Sequence, residues 1–229
     1  MGRQRHSPSG PAAVARSVRQ TQSAKLRLLD IGCGTGRFLG QVKQVWPRLP
    51  CIGLDLSEPY IDYARQHLRR WVLTNFLVAN AEAIPVADAT CDAVTSIFMF
   101  HELPPPVRRT IFRECARILK PGGRFVVVDS LQLGDRPDYD GLLHLFPQHY
   151  HEPYYSTYIS ENFEDIAEAS GLTPVRHFNA FVSKVMVFDR PGSGASSVLE
   201  SRTAADVREK YDPGGVHHQE RAESSWRHM

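Results

Sequence analysis

Residues 28–39 read Leu-Leu-Asp-Ile-Gly-Cys-Gly-Thr-Gly-Arg-Phe-Leu, and no other run limits the fold of this chain so sharply. A short apolar stretch ends in an acid, Asp30, and gives way to glycine at every second position: Gly32, Gly34 and Gly36. This order predicts a strand, a tight loop and then a helix. Glycine lets the main chain curl tightly and lets a ligand approach backbone that a Cβ would shield. The spacing also separates two kinds of loop. A dinucleotide fingerprint is G-x-G-x-x-G and would need glycine at 37, where this chain has Arg37. The pattern here is G-x-G-x-G, with an acid two residues ahead of the first glycine.

The segments that follow alternate between strand and helix patterns. Leu26–Ile31 reads as the first strand, Arg37–Val45 as a helix that stops before Pro47, and Cys51–Leu56 as the second strand. Ser57 is a candidate N-cap with Pro59 in the first turn, and that helix runs to about Arg70. Asn75–Ala79 is a short third strand. Asp92–Phe98 is a near-continuous apolar run, as expected of a parallel strand buried on both faces. Pro104–Pro106 opens a helix over Val107–Leu119, Pro121-Gly122-Gly123 closes it, and Arg124–Asp129 is the fifth strand. Such alternation predicts an α/β, doubly wound sheet, whose ligands bind at the carboxyl ends of the strands. Residues 130–158 read as long, aromatic and irregular. Ser160–Ser170 reads as a helix capped by Ser160 and stopped by Gly171, followed by strands Pro174–Ala180 and Phe181–Asp189.

The chain of 229 residues is 42% hydrophobic and 23% charged, which suits one domain with tails. That domain is expected at 26–190, with a disordered or targeting tail at 1–25 and a disordered charged tail at 191–229. Residues 1–29 hold six Lys or Arg and no acid, whereas residues 30–190 hold 16 basic and 19 acidic residues. The basic character therefore belongs to the N-terminal tail, which counts against a dedicated nucleic-acid enzyme with a lysine- and arginine-lined groove. Cys33, Cys51, Cys91 and Cys115 form no C-x-x-C pair and read as small buried thiols in a reducing compartment. No apolar run approaches the ~20 residues a membrane span needs, and no secretory signal is visible. A cytoplasmic location is expected, with an organellar one as the alternative, since the acid-free Arg/Ser-rich N-terminus also suits a transit peptide.

Four landmarks now stand in one order, each near the end of a strand: the glycine loop with Asp30; Asp55 in Ile-Gly-Leu-Asp-Leu-Ser; Asn80-Ala81-Glu82-Ala83-Ile84-Pro85; and Arg117-Ile118-Leu119-Lys120-Pro121-Gly122-Gly123. Together they resemble the class I S-adenosylmethionine-dependent methyltransferases, in particular the small-molecule group that includes the ubiquinone and menaquinone C-methyltransferases. The resemblance implies a mostly parallel seven-stranded sheet with helices on both faces, S-adenosylmethionine as cofactor, and methyl transfer to an aromatic, quinone-like or lipid-like small molecule. It implies that Asp30, Gly32, Cys33, Gly34 and Gly36 hold the methionine end. Asp55, with Leu56 beside it, would hold the ribose, Asn80 and Ala81 would meet the adenine, and Ser96 and Ile97 would lie near the sulfonium. Asn80 stands where the family often has Asp. Family members usually carry a helical segment before the first strand, so the cover over cofactor and acceptor is expected from elsewhere in this chain, or the chain is a shortened form. The alternatives are a catalytically inactive cofactor-binding or scaffold protein on the same fold, and a nicotinamide-dependent oxidoreductase, which Arg37 disfavours.

Methyl transfer from a sulfonium needs alignment of the acceptor and exclusion of water, and an oxygen or carbon acceptor also needs a base. His101, just past the fourth strand in Phe98-Met99-Phe100-His101-Glu102-Leu103, is the candidate catalytic residue. The acceptor pocket is expected from Phe98 and His101 together with His149, His151, Tyr154 and Tyr155 of the aromatic run after the fifth strand. His149, His151 and Glu152 also suggest a metal, but H-x-H-E alone is a weak pattern, and none is expected.

Overall fold

The computed structural model describes residues 26–192. The tail expected at 1–25, and all but the first two residues of the tail expected at 191–229, lie outside the described residues. The elements run β1 (Leu28–Ile31), α1 (Arg37–Val45), β2 (Cys51–Asp55), α2 (Glu58–His67), β3 (Thr74–Val78), β4 (Cys91–Ile97), α3 (Pro105–Ile118), β5 (Leu119–Ser130), α4 (Asp140–Tyr150), α5 (Tyr155–Tyr158), α6 (Phe163–Ala169), β6 (Thr173–Ala180) and β7 (Ser183–Asp189). Short 3-10 turns lie at Phe100–Glu102 and Pro137–Tyr139.

One seven-stranded sheet has the order β3-β2-β1-β4-β5-β7-β6. The first five strands pair in parallel, and β7 pairs antiparallel with both β5 and β6. The chain winds outward from β1 to β2 and β3, then crosses back to β4 on the other side of β1. That reversal opens a crevice above the carboxyl ends of β1 and β4, where such sheets bind ligands. Each face carries its own core. Leu29 and Ile31 of β1 join Phe112, Cys115 and Ile118 of α3 and Phe163 and Ile166 of α6. Leu28, one residue out of phase, joins Leu39 and Val42 of α1 and Ile61 and Ala64 of α2. Alternation along the strand thus assigns each side chain to one helix layer or the other.

Several boundaries differ from the sequence expectation. β1 begins at Leu28 and α2 ends at His67, three residues short of Arg70. Pro121-Gly122-Gly123 does not separate helix from strand. Leu119 already pairs with Cys91, and the Pro-Gly-Gly turn forms an irregularity inside β5, with Gly122 at φ 79°. The segment 130–158 is not irregular: it holds α4 and α5. Pro147 lies inside α4, and packing outweighs its missing N–H, with Leu143 buried and the Phe146 ring 4.7 Å from that of Tyr155. The cap of α6 is Asn162 rather than Ser160. Asn162 Oδ1 accepts from the Glu164 and Asp165 amides at 3.0 and 3.4 Å, while the Ser160 hydroxyl donates back to the Ser156 carbonyl. Gly171, at φ 81°, closes α6 as expected. Phe181 belongs to the hairpin turn rather than to β7 and takes φ 59°.

Candidate active site

At the carboxyl end of β1 the glycine run turns as its spacing predicts. Gly32, Gly34 and Gly36 all adopt left-handed φ, at 64°, 52° and 74°. A Cβ on Gly36 would stand 2.8 Å from Leu68, whereas one on Gly34 would meet nothing within 4 Å. Glycine at 36 therefore lets α1 and α2 pack. Glycine at 34 leaves backbone open toward the crevice, just ahead of the N-terminus of α1, whose free amides favour anionic or polar groups.

Two acids frame this loop. Asp55, ending β2, accepts the Gly34 amide at 2.8 Å and the Ser57 amide at 2.9 Å. One carboxylate thus ties the loop to the start of α2, and its remaining lone pairs can accept further donors. Asp30 is 1% exposed and accepts the Thr95 hydroxyl of β4 at 2.6 Å. Burial raises its pKa from 3.8 to about 7, the Thr95 hydrogen bond works against that rise, and the charge of Asp55 adds to it. Among the described residues it has no Lys or Arg in ion-pair range, so an incoming ammonium group would meet a carboxyl short of a countercharge.

The other residues expected around the cofactor fall on the same edge. Cys33 is buried, its amide donates to the Leu54 carbonyl at 3.0 Å, and burial pushes its thiol pKa far up. It is therefore a packed thiol rather than a nucleophile. Leu56 is 72% exposed beside Asp55. Asn80 closes a turn on itself: its Oδ1 accepts the Glu82 amide and its amide donates to Glu82 Oε1. Ala81 is half-buried beside it. Ser96 is fully buried with an unpartnered Oγ, and Ile97 is half-buried. A buried carboxyl at Asp30, open backbone at Gly34 and the Asp55 carboxylate are groups of the kind that could hold S-adenosylmethionine.

Across the crevice, Phe98 leaves β4 at φ 52°, a left-handed conformation unfavourable for a bulky residue, with its ring half exposed. The 3-10 turn that follows carries His101. Its Nδ1 lies 2.6 Å from Oδ1 of Asp129, a fully buried acid near the end of β5. Asp129 is itself held by the Phe100 amide at 2.8 Å and the Ser130 amide at 2.7 Å. Burial pulls the His101 pKa down, but the Asp129 hydrogen bond and the charges of Asp129, Glu102 and Glu152 leave it above its usual value. The rings of Phe98, Tyr155 and Tyr158 meet the imidazole edge-on at 6.1–6.4 Å. Tyr155 and Ser130 share a hydrogen bond of 2.6 Å, and the Tyr158 hydroxyl donates to the Ser130 carbonyl. Glu152 joins from the α4–α5 link.

Of the pocket residues expected from sequence, the structure brings Phe98, His101 and Tyr155 together. His149 and His151 are exposed, and His149 Nδ1 bonds back to the Leu145 carbonyl along α4. Tyr154 is largely exposed and contributes its carbonyl to Arg108. Sequence reading passed over Asp129, Tyr158 and Arg108. Asp129 carried a signal, since Val-Val-Val-Asp ends β5 as Leu-Leu-Asp and Gly-Leu-Asp mark β1 and β2. Arg108 carried none. It is fully buried, donates to the Phe100 and Tyr154 carbonyls and to Thr157, and pairs with Glu161 at 3.0 Å. One guanidinium thereby fastens the His101 turn to the α5 segment that carries Tyr155 and Tyr158.

Residues 29–127 match the family model described as a methyltransferase domain. Residues 29–127 thus carry a methyltransferase domain. Over 123 residues the chain is 34% identical to a malonyl-[acyl-carrier protein] O-methyltransferase of Methylococcus capsulatus, covering 50% of this chain and 44% of that protein. It is 34% identical to a demethylmenaquinone methyltransferase of Thermotoga maritima over 105 residues, covering 46% and 44%. It is 36% identical over 99 residues to a tRNA (carboxymethyluridine(34)-5-O)-methyltransferase of Mus musculus, covering 43% and 14%. The chain thus spans less than half the length of these curated relatives. The fold of this methyltransferase domain matches a geranyl diphosphate methyltransferase solved with S-adenosylmethionine, at TM-score 0.59 and 17% identity, covering 78% of this chain and 85% of that one. Among the described residues no helix is long and apolar enough to cross a membrane.

Proposed function

We propose that the chain transfers a methyl group from S-adenosylmethionine to a small-molecule acceptor bound between the ends of β4 and β5 and the α4–α5 segment. The observation that carries this reading is the glycine loop tied by Asp55 beside Asp30, buried and with no Lys or Arg in ion-pair range among the described residues, at the point where strand order reverses. When bound, S-adenosylmethionine supplies an electrophilic methyl group whose carbon–sulfur bond breaks with its electrons on sulfur. Asp30 binds the ammonium of the methionine end, Asp55 the ribose hydroxyls, and Asn80 with Ala81 the adenine edge. Ser96 and Ile97 line the floor, and Phe98, Tyr155 and Tyr158 exclude water and align the acceptor. Asp129 fixes the tautomer of His101, so that Nε2 is free to accept the proton an oxygen or acidic carbon loses as it attacks.

The carboxylates at the mouth, Asp55, Glu102 and Glu152, disfavour a polyanion, which supports a small-molecule acceptor over the tRNA on which one relative acts by name. Malonyl-[acyl-carrier protein] and demethylmenaquinone, named for the other two, set the range of acceptors worth trying. Calorimetry with S-adenosylhomocysteine tests the cofactor site. Wild type is expected to bind, and Asp55→Ala to bind roughly 30- to 150-fold more weakly, as the loss of charge-assisted hydrogen bonds worth about 2–3 kcal/mol implies. No binding at millimolar ligand, or equal binding by both proteins, refutes the reading.

A further inference from the structure

Around His101 three metal-ligand side chains converge from two parts of the chain. His101 and Glu102 come from the turn after β4, and Glu152 from the link between α4 and α5. Their donor atoms lie within 4.8 Å of one another, and His101 Nε2 stands 4.0 Å from Glu102 Oε1. Two carboxylates this close repel each other. Among the described residues neither is in an ion pair with a Lys or Arg, so the positive charge the geometry calls for is not supplied by those residues.

The imidazole carries a second, independent mark. Metal-bound histidines almost always hand their other ring N–H to a carboxylate or carbonyl, which fixes the tautomer and aims the free nitrogen. His101 does this through the 2.6 Å contact with Asp129, whose carboxylate is fully buried and pinned by two backbone amides. The ring is only 13% exposed, so it holds one direction. Glu102, with its side chain 63% exposed, is free to swing inward. Closing the three donors around an ion with bonds of about 2.0–2.2 Å needs a movement of one to two ångströms, within reach of a glutamate rotamer.

We propose that His101, Glu102 and Glu152 bind one divalent cation at the lip of the acceptor cup. One imidazole and two carboxylates suit Mn2+, Fe2+ or Zn2+ better than Mg2+ or Ca2+, which favour oxygen ligands. What the ion does rests on the methyltransferase reading; whether it binds does not. Its open positions face the acceptor and favour one that presents an oxygen. A hydroxyl bound there is made acidic and loses its proton to solvent, leaving an oxygen lone pair to attack the methyl carbon. While the ion is bound, Nε2 is a ligand, and the ion takes over the activating part that the free imidazole has without it.

Mn2+ titrated into the full chain, with free ion followed by electron paramagnetic resonance, tests the site. The expected result is one site per chain, weakened at least tenfold in the double variant E102Q/E152Q and roughly tenfold in Asp129→Asn, the range that loss of an outer hydrogen-bond partner produces. E164Q, which alters an exposed Glu164–His177 pair of 3.3 Å on the far strand–helix edge, should bind Mn2+ like wild type. Circular dichroism confirms that each variant folds, and Glu152→Gln alone replaces the double variant if that one does not. Equal Mn2+ binding by wild type and the glutamate variants overturns the proposal. Mn2+ binding without S-adenosylhomocysteine binding keeps the cation site and removes the methyltransferase reading, and the converse removes only the site.

Discussion

At the carboxyl end of β1 the binding groups come from one short stretch of chain and the strand beside it. At the ends of β4 and β5 they come from the turn after β4, the last residues of β5, and the α4–α5 segment. The first region is backbone geometry: three left-handed glycines and an aspartate that ties the loop to the next helix. The second is a set of long-range side-chain contacts, His101 to Asp129, Tyr155 to Ser130, and Arg108 to Glu161 and Tyr154, spanning 25 to 53 residues. The first region is thus set by neighbouring residues and the second by residues far apart in the chain.

Arg108→Leu should break the second region most severely. Removing the buried guanidinium leaves Glu161 with Arg109 alone and takes a donor from the Phe100 and Tyr154 carbonyls and the Thr157 hydroxyl, at a cost of about 3 kcal/mol. Urea denaturation should show that loss. Should the variant remain folded and bind S-adenosylhomocysteine as well as wild type does, the two regions are separable; a loss of cofactor binding in the folded variant would show them coupled.

The first region has its own signature in pH. Asp30 has its folded pKa raised to about 7 from 3.8. The stability it contributes is fully present below about pH 4 and is lost as pH rises through about 7, because the folded state favours the proton. If Asp30 holds the cofactor's ammonium as proposed, binding runs the other way, since that contact needs the carboxylate. Affinity for S-adenosylhomocysteine should rise up to tenfold per pH unit below about 7 and level off above it. Calorimetry across pH 5–8 measures this. A flat profile that matches Asp30→Asn would mean that Asp30 does not hold the ammonium.

The smallest effect sharpens the boundary between the regions. Tyr155→Phe removes the hydroxyl contact with Ser130 and should lower stability by about 1 kcal/mol. It should leave S-adenosylhomocysteine affinity within twofold of wild type. A larger change in that affinity would place Tyr155 on the cofactor side.

The same division decides what could be read in advance. The alternating elements, the doubly wound sheet and the placing of Gly32–Gly36 and Asp55 at strand ends followed from local patterns, and the mostly parallel seven-stranded sheet from the family resemblance. Backbone conformation and strand ends are written in neighbouring residues. The segment 130–158 reads as irregular, yet α4 forms there with Pro147 inside it, held by packing of Leu143 and the Phe146–Tyr155 ring contact. The Asn162 cap was missed because Ser160 sits within reach of the preceding turn, a contact that spacing alone does not show.

By itself, then, the sequence determined the alternation of strand and helix, the glycine loop and the acids near the ends of β1 and β2, because each depends on residues only a few positions apart. Only the tertiary structure decided that Asp129 holds His101, that a buried arginine fastens the turn after β4 to α5, and that Glu152 rather than His149 or His151 comes near the imidazole. Those contacts depend on where distant segments come to rest on the sheet, and no local period or motif encodes that distance.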